Sequence, residues 1–460
     1  MEKINKMKEK VINSSKFLKI KTIFNKFFSS DLYIIMLFII AIINWKFKLT
    51  WLVFLSSILF NVLIYILKVS KLKIIPIAIS IIISLGLEDT TRYIIPLLIT
   101  GSVLLVFISY DLIKRKIDFN NKIITGMVLI FIASIFSLVN SPVLLTSIQG
   151  ISMWVFYILL FLYMFNMEDI KKDKDYARYY IAKIFVYFSL AIFIEIILYY
   201  IEYGIGQNVI AFYGGNEINF GWAEPQHIAN VYLLILPILV YYFTLDQKKY
   251  YLLLIIGIDL AMLHLMLSRG AYLAMIILLL PIILKAVNDV KRKTNFIISV
   301  IYFTIIILVL MIVVAISMGY VKDFFAFLST KGHTLEDMEL MSRIGIGVFE
   351  RYPLFGGGFG SSRYYLSIVM DNRYYENFIV QTLSDIGIVG FIAFGYYLFS
   401  IFKYSTIKDK YNSYVLLIVI ALTIQGLMET TFYNPLVMIL LSFIFPLMTS
   451  KEELIYMKGD

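Results

Sequence analysis

The sequence predicts an all-α polytopic membrane protein of about fourteen transmembrane helices with one large extracytoplasmic loop. Composition is the first observation behind this. The 460-residue chain is 60% hydrophobic and only 16% charged, with a mean hydropathy of +0.85, whereas a soluble domain carries about 25% charge. Run length is the second. Segments such as LYIIMLFIIAIINW (32–45), WLVFLSSILFNVLIYIL (51–67) and NFIISVIYFTIIILVLMIVVAISM (295–318) reach or approach the roughly 20 apolar residues that cross a bilayer. The third is that lysine and arginine collect in alternate connections, as cytoplasmic loops require.

Taken in order, residues 1–30 form a lysine-rich amphipathic lead-in. It lacks the compact apolar stretch and small-residue cleavage site of a signal peptide. A basic helix lying on the lipids of the cytoplasmic leaflet is the expected structure. Apolar spans follow near 31–47, 50–67, 74–90, 93–112, 122–139, 143–165, 181–203, 227–245, 250–267, 270–285, 295–318, 377–402, 413–430 and 434–450. The third and tenth are marginal in length, so the expectation is twelve to fourteen. With the N-terminus inside, 31 of the 41 Lys and Arg fall in cytoplasmic segments and 10 outside. The excess holds at every inside loop, which places both termini in the cytoplasm of a multi-pass cell-membrane protein. Five regions result: the basic segment 1–30, N-terminal helices 31–203, core helices 204–317, the outer loop 318–376, and C-terminal helices with a short tail, 377–460.

Several function classes drop out. Without cysteine there is no disulfide, thiolate catalysis or thiolate metal site. The net charge of +10 is accounted for by the cytoplasmic loops, so no nucleic-acid partner is implied. The two halves show no repeat, which weighs against a secondary transporter.

Polar chemistry concentrates on the outer side. LMLSRGAYLAM (265–275) places Arg269 where one apolar helix ends and the next begins. A cation there is either functional or snorkels to the interface. MSRIGIGVFERYPLFGGGFGSSRYY (341–365) carries Arg343, Arg351 and Arg363; planar guanidinium forks suit phosphate oxygens. Its glycines lack the Gly-Lys-Ser/Thr ending of a nucleotide loop and face a compartment without ATP. The bland reading is a solvated helix ending at Pro353, followed by turns. DNRYYENF (371–378) sets Glu376 and Asn377 at the start of a span, as a base or as residues suited to a helix N-terminus. WAEPQHIANVY (222–232) adds Glu224 and His227, and Glu195, Asp259 and His264 lie within apolar helices. The three histidines form no spaced cluster, so no metal site is expected. Tyr364, Tyr365, Tyr374 and Tyr375 are available to stack on sugar rings.

These elements, in this order, resemble the O-antigen polymerase and ligase superfamily of bacterial membrane glycosyltransferases (Wzy/WaaL type). The matching features are SRGAYLA after a span, one further span, then a large outer loop containing SR…FERYPLFGGGFGSS, similar to the family's R…PLfGvGpG pattern. ENFIVQTLSDIGIVGFIAF leads into the next span as the family's HNxxLxxLxexGixG does, and EPQHIANVYLLILP resembles its segment ahead of the Ser-Arg-Gly pair. The resemblance covers about residues 205–400. It implies a GT-C-like enzyme without cofactor that acts on an undecaprenyl-diphosphate-linked oligosaccharide at the outer face, metal-independently and with inversion. Arg269 and Arg343 would bind the diphosphate, with Arg351 and Arg363 as auxiliaries, while Tyr364, Tyr375 and Asn377 would meet sugars. The family's loop-end His-Asn reads Glu376-Asn377 here, so Glu376 becomes the candidate base, with His227 and His333 as substitutes. A flippase and a chain-length regulator are the protein partners the resemblance suggests. The expected activity is that of a capsule- or O-antigen-type polymerase. A ligase to a different acceptor and a lipid-linked oligosaccharide flippase are the alternatives.

Overall fold

A computed structural model describes residues 15–49, 51–84, 90–114, 117–203, 225–246, 249–266, 268–291, 293, 335–367, 369 and 374–450. The expected span 295–318, Glu224, His333 and the side chain of His264 lie outside the described residues. Every element within them is helical. In chain order these are α1 (Ser15–Ser29), α2 (Asp31–Phe47), α3 (Leu52–Leu67), α4 (Ile75–Ser84), α5 (Thr90–Lys114), α6 (Lys122–Ser137), α7 (Leu144–Phe165), α8 (Glu168–Lys172) and α9 (Lys174–Tyr203). Then come α10 (Pro225–Leu245), α11 (Tyr251–Leu265), α12 (Arg269–Asp289), α13 (Leu335–Arg351), α14 (Ser362–Leu366), α15 (Phe378–Ser405), α16 (Lys410–Gly426) and α17 (Pro435–Ile444), with short 3-10 turns between some of them.

Among the described residues six helices are long and apolar enough to cross a membrane, or seven if the bent pair formed by the end of α1 and α2 counts as one span. The fourteen expected spans exceed that number in part because several helices are short and in part because the span 295–318 lies outside the described residues. The 16 residues of α3 rise about 24 Å, less than the roughly 30 Å hydrocarbon layer. The 71° bend between α1 and α2 falls at Ser30, whose hydroxyl donates to the Phe27 carbonyl (2.6 Å).

The core is built around α10, whose residues from Ile228 to Thr244 are buried without interruption. A helix apolar on all sides belongs in the middle of a bundle, and α10 packs against α9, α11, α12, α16 and α17. Two helix pairs pack most closely, α6 with α15 and α12 with α16. Gly126 explains the first: a Cβ there would lie 2.7 Å from Tyr397 Cα on α15.

Helix α15 is broken. Gly387 has φ 64° and ψ −166°, far from helical values, and a break frees backbone groups that must find partners. The chain from Pro353 to Gly358 supplies them. Gly357 N–H donates to the Ser384 carbonyl (2.7 Å) and Gly358 N–H to that of Asp385 (3.2 Å), while Ile388 and Val389 N–H donate to Pro353 (2.9 Å) and Leu354 (3.3 Å). Gly360 N–H and the Gln381 amide both donate to the buried Asp385 carboxylate (3.0 and 2.8 Å). This strap also abuts the α6–α7 connection: the Asn140 amide donates to the Gly356 carbonyl and Phe359 N–H to the Ser137 hydroxyl, each at 3.0 Å.

Among the lysine-rich segments, Arg178 on α9 is buried. It donates to the Leu447 carbonyl and the Thr449 hydroxyl, pairs with Asp409 at 3.1 Å, and stacks over Tyr411. Lys73 is also buried, with its ammonium 3.6 Å from the Tyr180 ring centre.

Candidate functional site

The starts of α12 and α15 and the end of α16 meet at one corner of the bundle. Ser268 caps α12, its hydroxyl accepting from Ala271 N–H (3.1 Å), and Arg269 is the first residue of the helix. Gly270 lets this end close on α16, since a Cβ there would stand 3.1 Å from Gln425 and 3.3 Å from Met428. Beyond α16 the chain turns tightly, with Met428 and Glu429 N–H both donating to the Gln425 carbonyl at 2.9 Å. The Glu429 carboxylate that results accepts from the Ser268 hydroxyl on one oxygen and from the Gln425 amide on the other (2.6 Å).

The third strand of the corner is the start of α15. Asn377 caps it, accepting from Ile379 and Val380 N–H (2.9 and 3.2 Å), and its own amide donates to the Leu427 carbonyl (2.9 Å). Glu376, one residue earlier, has φ 53°, a left-handed conformation uncommon for any residue with a Cβ. Its charge acts on Glu429. Glu429 lies in the turn outside the helices. Burial pushes its carboxyl up to about 8, Glu376 adds to this, and the bonds from Ser268 and Gln425 oppose it.

Residues 251–395 match the Wzy_C family, described as O-antigen ligase. The match supports the O-antigen polymerase/ligase superfamily for this chain. It runs from α11 into α15 and takes in Ser268, Arg269, α13, the glycine strap, Glu376 and Asn377; Glu429 lies beyond it. No curated protein matches the chain. The matched segment is therefore similar to part of that family, in a chain with six helices long and apolar enough to cross a membrane among the described residues.

The other sequence-selected residues fall around this corner in different ways. His227 sits half-buried in the first turn of α10, the helix that packs along α12 and α16. Arg343 is exposed on α13 and pairs there with Glu339, one turn earlier. The opposite face of α13, with Met341, Gly345 and Val348, docks on Tyr375, Val380 and the strap. Arg343 therefore projects from the side of α13 opposite its docked face. Arg351 ends α13 with its guanidinium 5.3 Å from the Tyr352 ring centre. Arg363 and Tyr364 are exposed on α14, and the Tyr364 ring stands edge-on to Tyr365 at 5.4 Å. Tyr375 is different. It is 1% exposed, and its hydroxyl accepts from Ser384 (3.1 Å), so its ring is a core contact and presents no face to a sugar.

The glycine run does not present free amides to an anion at Gly357, Gly358 or Gly360, because those N–H groups are donated to α15. Asp259 is buried in α11 and accepts from the Ser189 hydroxyl of α9, the helix that also carries buried Glu195. Among the described residues no three His, Asp or Glu side chains gather as a metal-ligand group. Two carboxylates escaped the sequence reading. Asp385 sits in TLSDIGIVG, where an acid before a glycine inside an apolar run was the available signal. Glu429, in QGLMETTFYNP, reads as an ordinary acid at the end of the expected span 413–430, and nothing local marks it.

Proposed function

We propose that this protein is a polysaccharide polymerase of the bacterial cell membrane. It would transfer a glycan from undecaprenyl diphosphate to a sugar hydroxyl of another lipid-linked repeat unit, on the extracytoplasmic face. The observation that carries this reading is the corner itself: Arg269 opens α12 within a hydrogen-bonded junction to Glu429, Leu427 and Asn377, inside the segment that matches Wzy_C. A helix N-terminus with a guanidinium on its first residue suits a diphosphate, combining the positive end of the dipole with a cation. As the acceptor oxygen bonds to the anomeric carbon, the bond from that carbon to the diphosphate oxygen breaks. The lipid diphosphate leaves with the electron pair, and the centre inverts. Charge grows on the leaving group, which is where preorganised cations act most strongly. Arg343, Arg351 and Arg363 would meet the anionic donor from the loop, and exposed Tyr364 would stack on its sugars.

The test is transfer in membrane vesicles supplied with the lipid-diphosphate glycans extracted from the native cells, read as a ladder on a gel. Wild type is expected to build the ladder and Arg269→Ala to abolish it. The family's description as O-antigen ligase favours a second reading, transfer of finished glycan to a different acceptor. That activity would yield a single transfer product without ladder growth. Movement of the donor across the bilayer without either product would overturn both.

A further inference from the structure

Glu429 has no part in the transfer as set out above, yet it sits at the centre of the corner. We propose that Glu429 is the base that takes the proton from the attacking sugar hydroxyl, with Glu376 as its acidic neighbour. The proposal rests on the glycan-transfer reading. Placement is its first support. Glu429 is bonded directly to Ser268, the residue before the proposed diphosphate ligand Arg269. An acceptor sugar attacking the anomeric carbon must lie within about one ring of that diphosphate, and a base must reach its hydroxyl at hydrogen-bond distance.

Orientation is the second. Ser268 and Gln425 each hold one carboxylate oxygen, which fixes the group while leaving a further lone pair on each. The third is the way Glu376 is held beside it. A left-handed glutamate (φ 53°) costs on the order of 1–2 kcal/mol, and such strain concentrates at functional sites. Here it is locked by the Asn377 amide bound to the Leu427 carbonyl, two residues from Glu429. The ionisable groups at the ends of the elements packed around this turn are Arg269 on α12, His227 on α10, Glu376 before α15, and Tyr433, whose hydroxyl is donated to Thr382 (3.0 Å). Of these, Glu376 bears on the Glu429 charge. A carboxyl held near 8 by burial and this neighbour is a far better proton acceptor than an ordinary surface glutamate. In the step the hydroxyl O–H bond breaks and its proton passes to the Glu429 carboxylate. The oxygen bonds to the anomeric carbon, the diphosphate departs with the electrons of its C–O bond, and the proton is then released to water.

Glu429→Gln is the deciding variant, because the fold can absorb it. The side-chain amide oxygen of Gln425 is buried without a hydrogen-bond partner, so a rotated Gln425 amide can accept from the new amide while Ser268 keeps its acceptor. Unfolding midpoints in detergent and transfer rates in vesicles are measured from about pH 6 to 9. Wild-type rate is expected to rise with pH and level off above about 8. Glu429→Gln is expected to keep the midpoint and lose about 100-fold or more in rate, with partial recovery in Glu429→Asp. Glu376→Gln removes the neighbouring negative charge and is expected to move the rising limb to lower pH. A Glu429→Gln rate near wild type with the same limb overturns the proposal and leaves the transfer reading intact. If Glu429→Gln fails to fold, an unmoved limb in Glu376→Gln overturns it instead. No transfer by wild type overturns the transfer reading, and the role of Glu429 with it.

Discussion

Replacing Gly356 by alanine tests the idea that the strap completes α15. The added Cβ would lie 2.4 Å from the Asp385 carbonyl carbon and 2.5 Å from both the Asp385 oxygen and the Ile386 nitrogen. All three are backbone atoms, so no side chain can swing away to relieve the overlap. Gly356 also has φ 72°, which costs an L-residue about 1–2 kcal/mol. Relief of the overlap requires the strap to lift, loosening the four backbone hydrogen bonds that join residues 353–358 to 384–389. At about 0.5–1.5 kcal/mol net each, the loss of two or three of them, with the backbone term, gives roughly 3–5 kcal/mol. The assay is thermal unfolding of purified protein in one detergent, with Gly347→Ala and Gly395→Ala as references. Both of those glycines face open space, where alanine in a helix is favoured by about 0.5–1 kcal/mol. A chain of this size shifts by about 1–2 °C per kcal/mol, extending the trend for smaller domains, so Gly356→Ala should melt about 5 °C lower. A Gly356→Ala midpoint equal to that of Gly347→Ala would refute the strap as a structural partner of α15.

Gly126→Val should force α6 from Tyr397 and destabilise by about 1–3 kcal/mol, read as a lower unfolding midpoint. Arg178→Ala leaves Asp409, the Leu447 carbonyl and the Thr449 hydroxyl without their shared donor; a loss of about 3–5 kcal/mol is expected by the same measurement. Arg343→Ala removes an exposed one-turn ion pair, so its midpoint should change by no more than about 0.5 kcal/mol, and any loss of transfer in that variant reports on donor contact. Lys73 supplies a pH test. Burial, aided by Lys183, lowers its ammonium to about 7 against the usual 10.5. Between those values the unfolded chain binds more protons, so this group's contribution to stability rises from pH 7 toward 10.5 and is least favourable below 7. Lys73→Met should flatten that rise in a series of unfolding midpoints.

The helical, apolar character was legible because composition and run length act locally, although six or seven helices rather than fourteen are long and apolar enough to cross a membrane among the described residues. The Ser-Arg-Gly turn marked where one apolar helix ends and the next begins. The break in α15 was not legible. SDIGIVGF has the character of a continuous helix, and the partners that open it lie some thirty residues earlier in the chain. The glycines after Pro353, which read as turn formers, answer to the backbone of another segment. Arg343 had its explanation in plain view, since Glu339 stands four residues before it on the same helix face. The acids were hardest to weigh, because Glu376 and Glu429 gain their character only when two separate turns meet.

The pairing of strap and broken helix also orders how the protein is made. A helix interrupted at Gly387 would bring unpaired carbonyl and N–H groups to the bilayer, a state lipid penalises by several kcal/mol per group. Their partners at 353–358 are synthesised first, some thirty residues ahead of the break. Loop and helix must therefore mature as one unit, and the Asn140 contact to Gly356 requires α6 and α7 to be in place beforehand. Biogenesis of this chain is thus not a simple procession of independent hairpins; its late helix is finished by a segment made before it.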